Sequence, residues 1–546
     1  MSNVTLVMLQ PEKTPIHWTI GEKKVSKPDV RSLTDVIKDL LLNTNTDAVL
    51  FWDNLSYLPS NDLIEYLLES SNDVWHAGLR MGLSGKPEML NYVNPTWMLN
   101  RDPDPNKTAT SWRLSLRACL FRTEVLRQIG TLEPGFETLE GAGLELGYRC
   151  IRAGVFIRYI PELLPVDFAQ EKVIIPLADQ LRFIQLGFGG KWAKWTKFRT
   201  VLANPRAYFS TAHVQKIAQG ADTAGREVKP YQRSLPTQGI TPSGKVSVLI
   251  PTIRRYPYLR TLLGQLRNQT VPPYEIIVVD QTPQSERDAD LPKDFSDLPV
   301  RWHYLDKAGQ CSSRNMGLRY AQGDYVLFVD DDDEVSSDLI EKHLRNLNVY
   351  KCSISSGAAL EPDQKELPAN FRFLRLSNVF PTNNTMIRKD VLRKTGLFDL
   401  AYDHGQRADH DLGMRLYLAG ELMVLDPSIC LLHHHAPMGG LREHKARIHT
   451  YAKSRTSVWH FNLLTVSDLY LAKRYFTPLQ VKESRVINLL GTFSIHGSKL
   501  RKILKALVAL VLLPKNIYEI RKRNRIADQW LKVYPQIPQV QEGAVD

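Results

Sequence analysis

Hydrophobic positions in this chain fall into two kinds of stretch. The first kind is short, unbroken and ends abruptly at an acid or a turn: residues 4–9, Asp47-Ala-Val-Leu-Phe-Trp-Asp53, Lys245-Val-Ser-Val-Leu-Ile-Pro-Thr252, Tyr274-Glu-Ile-Ile-Val-Val-Asp280 and Tyr325-Val-Leu-Phe-Val329. Such runs, rich in β-branched and aromatic residues, predict strands buried on both faces. Residues 155–160 and 301–305 add two more. The second kind recurs at helical spacing, as in Leu33, Val36, Ile37, Leu40 and Leu41, and again over 62–68, 119–129, 144–153 and 258–266. Residues 309–321 read as a loop entering a helix. Strands alternating with helices predict an α/β chain with parallel, doubly wound sheets and a ligand crevice at the strands' carboxyl ends.

The pattern occurs twice. Phe121-Arg-Thr-Glu-Val-Leu-Arg-Gln-Ile-Gly130 echoes Ile387-Arg-Lys-Asp-Val-Leu-Arg-Lys-Thr-Gly396, and at the same spacing 144–154 echoes 410–420. With another offset, Val49-Leu-Phe-Trp-Asp53 and Asp62-Leu-Ile-Glu65 match Val326-Leu-Phe-Val-Asp330 and Asp338-Leu-Ile-Glu341. Three blocks in one order predict two copies of one domain. The expected boundaries are 1–180 for the first copy, 181–244 for a connector, 245–440 for the second copy and 441–546 for a helical, basic C-terminal region.

Composition changes this picture little. The 546 residues are 43% hydrophobic and 23% charged, ordinary for a globular chain of two or three domains. A net charge of +12 favours anionic partners. Five scattered cysteines without a C-x-x-C pair argue for buried thiols in a reducing compartment, against a disulfide framework or zinc site. The first residues lack a basic n-region and long apolar core, so no signal peptide is expected. The longest apolar run, 506–513, is closed by Pro514 and flanked by Lys and Arg. It fits either a helix lying on an acidic membrane or a core helix with a solvated basic rim. Basic and aromatic residues interleave over 191–199, where an amphipathic connector helix is the expectation and nucleic acid is not expected as a partner.

Candidate chemistry gathers where the strand 325–329 stops at Asp330-Asp-Asp-Asp333. Clustered carboxylates behind a buried strand repel unless a cation neutralises them, and a hard divalent ion is the expected answer. The first copy has Asp53-Asn-Leu-Ser56 at that place, and Gly143 where the second has Asp409.

The second copy, over about 245–440, resembles an inverting family 2 glycosyltransferase with a GT-A fold. The carrying residues are Val246-Ser-Val-Leu-Ile-Pro-Thr252, Val278-Val-Asp280, Gly309-x-x-x-Ser-Arg-Asn-x-Gly317, Gly323-Asp-Tyr-Val-Leu-Phe-Val-Asp-Asp-Asp-Asp333 and Asp409-x-Asp-Leu-x-x-Arg-Leu416. The resemblance implies two GT-A-like (nucleotide-diphospho-sugar transferase) doubly wound domains in tandem, the first degenerate, with a helical basic tail. It implies a nucleotide-diphosphate sugar donor, a glycan or lipid-linked acceptor, and Mn²⁺ or Mg²⁺ held by Asp330 and Asp332, with His433 or His435 as a late ligand. Thr252, Arg254, Asp280, Gly309, Arg314, Asp330 and Asp331 would bind the nucleotide sugar, and Arg442 and Lys445 would close over the diphosphate. Asp409, in a helix's first turn where the dipole favours a carboxylate, would be the general base, with Asp411 as runner-up. Two departures stand out: Gln281 follows Asp280 where the family usually has a second acid, and Ser313 stands where it usually has Ala. The expected setting is the cytoplasm, with peripheral membrane contact through 499–525 left open. The rivals are a non-catalytic nucleotide-sugar or glycan-binding protein with two inactive copies, and a nucleotidyltransferase, for which Ile250-Pro-Thr-Ile-Arg254 lacks the Gly-rich loop.

Overall fold

The computed structural model describes residues 2–9, 20–25, 29–53, 57–77, 88–93, 96–101, 103–164, 175–206, 229–233, 242–436 and 456–540. Arg442, Lys445 and Asn54-Leu55-Ser56 lie outside the described residues.

Two sheets organise the chain. The first contains β1 (Val4–Met8), β2 (Lys23–Val25), β3 (Ala48–Trp52), β4 (Val74–His76), β5 (Ala109–Thr110), β6 (Ala118–Arg122) and β7 (Ile157–Tyr159), in the order β2-β1-β3-β6-β4-β7-β5. The second contains β8 (Val246–Thr252), β9 (Glu275–Asp280), β10 (Val300–Tyr304), β11 (Tyr325–Phe328), β12 (Asp333–Glu334), β13 (Ile354–Leu360), β14 (Arg375–Leu376), β15 (Thr385–Arg388) and β16 (Met423–His433). Its order is β10-β9-β8-β11-β15-β13-β16-β12, with β14 beside β16. The expected apolar runs are strands because both their faces are covered. Val326 and Phe328 enter one core while Leu327 and Val329 enter the other. In the first sheet Val49 and Phe51 face one core, and Leu50 and Trp52 the other.

The sheets are mixed, which corrects the expectation of parallel, doubly wound ones. β6 runs antiparallel to β3 and β4, and β15 antiparallel to β11 and β13. Periodicity reports an element's type and not its direction. An antiparallel neighbour also needs no crossover helix, and only a short 3₁₀ turn and β14 lie between β13 and β15. The stretch 119–129 is not one helix either: it divides into β6 and the helix Thr123–Ile129. A short, wholly apolar run does not distinguish strand from buried helix. Pro514 does not end its helix, which continues from Lys499 to Val533.

Strand senses and registers repeat between the sheets. Val49 pairs with Phe121 as Val326 pairs with Ile387. Val74 pairs with Ile157 as Ile354 pairs with Met423. Ala109 pairs with Tyr159 as Arg375 pairs with Leu425. Residues matched by the sequence echo therefore hold equivalent register positions.

The two halves meet through equivalent surfaces. Gly154 and Gly420 close equivalent helices, Leu139–Ala153 and Ala408–Leu418, at φ of 91° and 85°, a left-handed conformation that favours glycine. A Cβ on Gly154 would stand 2.4 Å from the Leu374 carbonyl oxygen, and one on Gly420 would stand 2.4 Å from that of Thr108. Thr108 and Leu374 are themselves equivalent, each preceding the matched strand β5 or β14. Reciprocal contact of this kind is the signature of an isologous interface, here within one chain. Phe156 of the first half is fully buried in a core of the second, its ring centroid 5.5 Å from that of Tyr350. Ser71 Oγ donates to the Tyr350 carbonyl at 2.8 Å, and Arg158 Nη2 to that of Gly420 at 3.0 Å.

The C-terminal helices Val466–Tyr475, Pro478–Gly491 and Lys499–Val533 add to this body. Tyr470 OH donates to Asp399 at 2.8 Å, and Leu397 N to the Pro538 carbonyl at 2.8 Å. Truncating Phe156 to Ala leaves a void between the halves. The expected loss is about 3–5 kcal/mol of unfolding free energy, read as a lower denaturant midpoint. A change below about 1 kcal/mol would mean that this ring does not hold the halves together.

Candidate functional site

β8 and β11 are parallel neighbours, with Leu249 opposite Phe328, so their carboxyl ends emerge side by side. Thr252 at the end of β8 donates from Oγ1 to Asp331 Oδ2 at 2.8 Å. The aspartate run follows β11 and turns at once into β12, which pairs antiparallel with the end of β16 and sets Asp333 opposite His433. The helix Ala408–Leu418 brings Asp409 to the same place. A cavity of about 450 Å³ opens here, lined among others by Thr252, Arg255, Arg314, Asp330, Asp331, Asp332, Asp409, His433 and His435.

Four carboxylates crowd one turn, and the protein itself supplies three cations. Arg314 Nη2 lies 2.7 Å from Asp330 Oδ1. Arg255 Nη1 lies 2.9 Å from Asp331 and 3.1 Å from Asp332. His433 Nδ1 lies 2.8 Å from Asp333 Oδ1. Part of the neutralisation assigned to a metal ion is thus done by side chains. Burial pushes the Asp331 carboxyl up to about 7, against the opposing pull of Arg255. It pushes Asp333 up to about 7 as well, against its hydrogen bond with His433. For His433, burial alone would lower the pKa, but the hydrogen bond and charge of Asp333 outweigh it and raise it to about 9.

Asp332 differs from its neighbours. Its Oδ2 accepts from the Ala436 N–H at 2.7 Å, while its buried Oδ1 makes no hydrogen bond and lies 3.1 Å from Arg255 Nη1. A buried carboxylate oxygen that keeps lone pairs free of hydrogen bonds suits a cation ligand. Asp330 is partly exposed beside it. Among the described residues no group of three or more His, Cys, Asp or Glu is arranged to hold a metal ion. Two carboxylates nonetheless fit Mg²⁺ or Mn²⁺ of the kind that takes its remaining ligands from substrate phosphates and water. The histidines assigned to the metal are already engaged: His433 with Asp333, and His435 Nε2 with Glu361 Oε1 at 2.7 Å.

Asp409 is 39% exposed at its side chain and faces the cavity in the helix's first turn. Burial would raise its pKa, but the charge and hydrogen bond of His410, whose Nδ1 lies 2.9 Å away, together with Arg407, hold it below the usual carboxylate range. Arg407 donates to His410 Nε2 at 3.0 Å and to Asp468 at 2.7 Å, so the C-terminal helix Val466–Tyr475 braces this corner. Asp411 is fully buried, ion-paired with Arg415 at 2.8 Å and accepting from Tyr475 OH at 2.7 Å, and it does not line the cavity.

Three residues expected at the nucleotide site are not among those that line the cavity. The Asp280 carboxylate accepts from Tyr256 OH at 2.8 Å and Thr282 N at 2.9 Å. Gln281 lines the cavity instead, accepting from Gly309 N at 2.7 Å. Arg254 takes a left-handed turn (φ 54°) and pairs with Glu286, so Arg255 is the arginine that enters. Gly309 does not line the cavity; a Cβ there would strike the Asp403 carboxylate, which accepts from Cys311 N and Ser312 N at the start of the helix Gln310–Tyr320. Arg255, Gln310, Asn383 and Arg407 were missed. Only adjacency to Arg254 and Asp409 could have flagged two of them.

Residues 247–398 match the family model described as Glycosyl transferase family 2. Over 168 residues the chain is 27% identical to the uncharacterized glycosyltransferase YwdF of Bacillus subtilis, covering 28% of this chain and 62% of that protein. Over 115 residues it is 32% identical to the glycosyltransferase GlyA of Streptococcus pneumoniae, covering 21% of this chain and 16% of that protein. Over 194 residues it is 26% identical to the poly(ribitol-phosphate) beta-N-acetylglucosaminyltransferase TarS of Staphylococcus aureus, covering 33% and 34%. The chain thus spans between 16% and 62% of these curated relatives' lengths. Against the solved structure of S. aureus TarS 1–349 in complex with UDP-GlcNAc, the TM-score is 0.34 at 17% identity, over 53% of this chain and 92% of that one.

The His433–Asp333 pair gives a pH signature. A folded pKa of about 9, above the unfolded value of about 6.5, stabilises the fold fully below pH ~6.5 and no longer once pH has risen through ~9. His433→Gln should therefore lower the melting temperature at about pH 6, with the difference from the parent shrinking towards about pH 10. A difference that stays constant with pH would show that the imidazolium is not formed there.

Proposed function

We propose that the second half transfers a sugar from a nucleotide-diphosphate donor to a hydroxyl of a glycan or lipid-linked acceptor, with inversion, and that the first half is a degenerate copy without this activity. The observation that carries the reading is a single cavity with the aspartate run on one wall and an ionised, partly exposed carboxylate, Asp409, on another. The family 2 domain supports the reaction class.

In this reading the donor's diphosphate lies against Arg314 and Arg255. Arg314 Nε is buried without a hydrogen-bond partner, and would donate to an anionic oxygen there. Asp330 and Asp332 would hold a divalent cation, whose chemistry is Lewis-acid stabilisation of the departing diphosphate. Asp409 accepts the proton of the acceptor hydroxyl as that oxygen attacks the anomeric carbon from the face opposite the leaving group. A base held below the usual carboxylate range is fully ionised at neutral pH. The Nδ1–H of His410 fixes the orientation of its carboxylate.

The first half lacks the means for either role. Arg117 lies across Asp53 and Glu140, the residues that align with Asp330 and Gln406, and ties both into ion pairs. Gly143 stands for Asp409, and a Cβ there would already be 2.8 Å from the Leu114 carbonyl oxygen. Backbone fills the space a base would need.

Asp409→Asn should cut kcat by roughly 10²-fold or more while donor affinity stays near normal, measured by steady-state kinetics across a nucleotide-sugar panel. Unchanged turnover would remove Asp409 from the role. Asp332→Asn should abolish the dependence of donor binding on Mn²⁺. Calorimetric titration of the full chain should return one donor site per chain, and two sites would overturn the degenerate reading.

A further inference from the structure

The long helix Lys499–Val533 carries an apolar face that no described part of the protein covers. Leu500, Ile503, Leu504, Leu507, Leu510 and Val511 are all exposed, Leu500 by 75% and Val511 by 77%. Their spacing of three and four places them in one stripe. The opposite face is the packed one, with Lys505, Val508, Ala509 and Asn516 buried. The apolar stripe is thus on the outside by construction: turning it inward would expose the face that anchors the helix.

Two further observations concern what the stripe meets. The first is charge. Ten Lys and Arg stand against Glu519 and Asp528 within this one helix. Lys499, Arg501, Lys502 and Lys515 are exposed around the stripe. A second copy of the chain laid on this face would bring like charges together, whereas an anionic surface complements them. The second is Trp459, 69% exposed, on a segment fastened to the same helix. Lys505 Nζ donates to the carbonyls of Ser457 at 3.0 Å and His460 at 2.7 Å, and Arg501 Nη2 to that of Thr456 at 2.8 Å. An apolar stripe with basic flanks, on a helix that also holds a segment with an exposed indole, has the composition of a membrane-interface element.

We propose that this face docks on a bilayer containing acidic phospholipid. Among the described residues no helix is long and apolar enough to cross a membrane, so the contact lies along the surface. The stripe from 500 to 511 is about 17 Å long at 1.5 Å per residue, and would sink to the depth of its leucines with lysine and arginine at the headgroups.

The test is co-sedimentation of the full chain with phosphatidylcholine vesicles, with and without phosphatidylglycerol. The expected result is pelleting with the acidic vesicles alone, reversed by raised salt. The double variant Leu504→Glu, Leu507→Glu should remain in the supernatant while keeping its circular dichroism and its donor hydrolysis. The fourfold variant Lys499→Gln, Arg501→Gln, Lys502→Gln, Lys515→Gln should weaken binding by about tenfold or more. A parent chain that never pellets with acidic vesicles would overturn the proposal. So would pelleting that both variants retain. Light scattering that finds a dimer lost in the double variant, without vesicle binding by the parent, would assign the stripe to self-association instead.

Discussion

The site depends on keeping four adjacent aspartates in place at the end of a buried strand. Asp331, Asp332 and Asp333 are all almost fully buried, and like charges so close would separate or take up protons if nothing opposed them. The opposition comes from three directions: Arg255 from the loop after β8, Arg314 from the helix Gln310–Tyr320, and His433 from the last residue of β16. Each cation belongs to a different element. The charge balance of the turn therefore fixes how the loop, the helix and the strand approach one another. It also leaves one oxygen, Asp332 Oδ1, without a hydrogen bond, although Arg255 Nη1 lies 3.1 Å from it.

The C-terminal helices enter the same balance. Arg407 has a left-handed backbone (φ 83°) and links Asp468 of the helix Val466–Tyr475 to His410, and through it to Asp409. A carboxylate on a short helix would otherwise have several rotamers open to it. Here its orientation is set by His410, held by Arg407, which in turn donates to the Asp468 carboxylate more than fifty residues downstream in sequence. Asp411, two residues along, is drawn the other way, into the core by Arg415 and Tyr475.

Much of this was legible in the sequence. Apolar runs that end at an acid or a turn identified β3, β8, β9 and β11 because burial on both faces leaves an unmistakable composition. Asp330, Asp331, Asp332, Arg314, Thr252, Asp409, His433 and His435, all singled out from the sequence, line one cavity. What was not legible follows from contacts between distant segments. Strand direction at β6 and β15 is set by neighbours, not by local pattern. The choice of Arg255 over Arg254 turns on a single positive φ. Asp280 ends its strand as an acid should, yet the Tyr256 hydroxyl claims it from a helix one turn away. The pairing of Asp333 with His433 joins residues a hundred positions apart, and no window of sequence contains both.

The reciprocal contact of Gly154 on Leu374 and Gly420 on Thr108 has a consequence for how the chain can vary. In a homodimer every substitution is made twice, so both halves of an isologous surface must tolerate the same residue. Inside one polypeptide each half changes alone. Phe156 stands where its counterpart is Leu422, and both lie in the same core, so large fills one side of the axis and medium the other. The same independence let an arginine settle across Asp53 while Asp330 kept its cavity. Carried on one polypeptide, the two equivalent faces are separately mutable, and the half with the aspartate run can hold its charges without imposing them on the other.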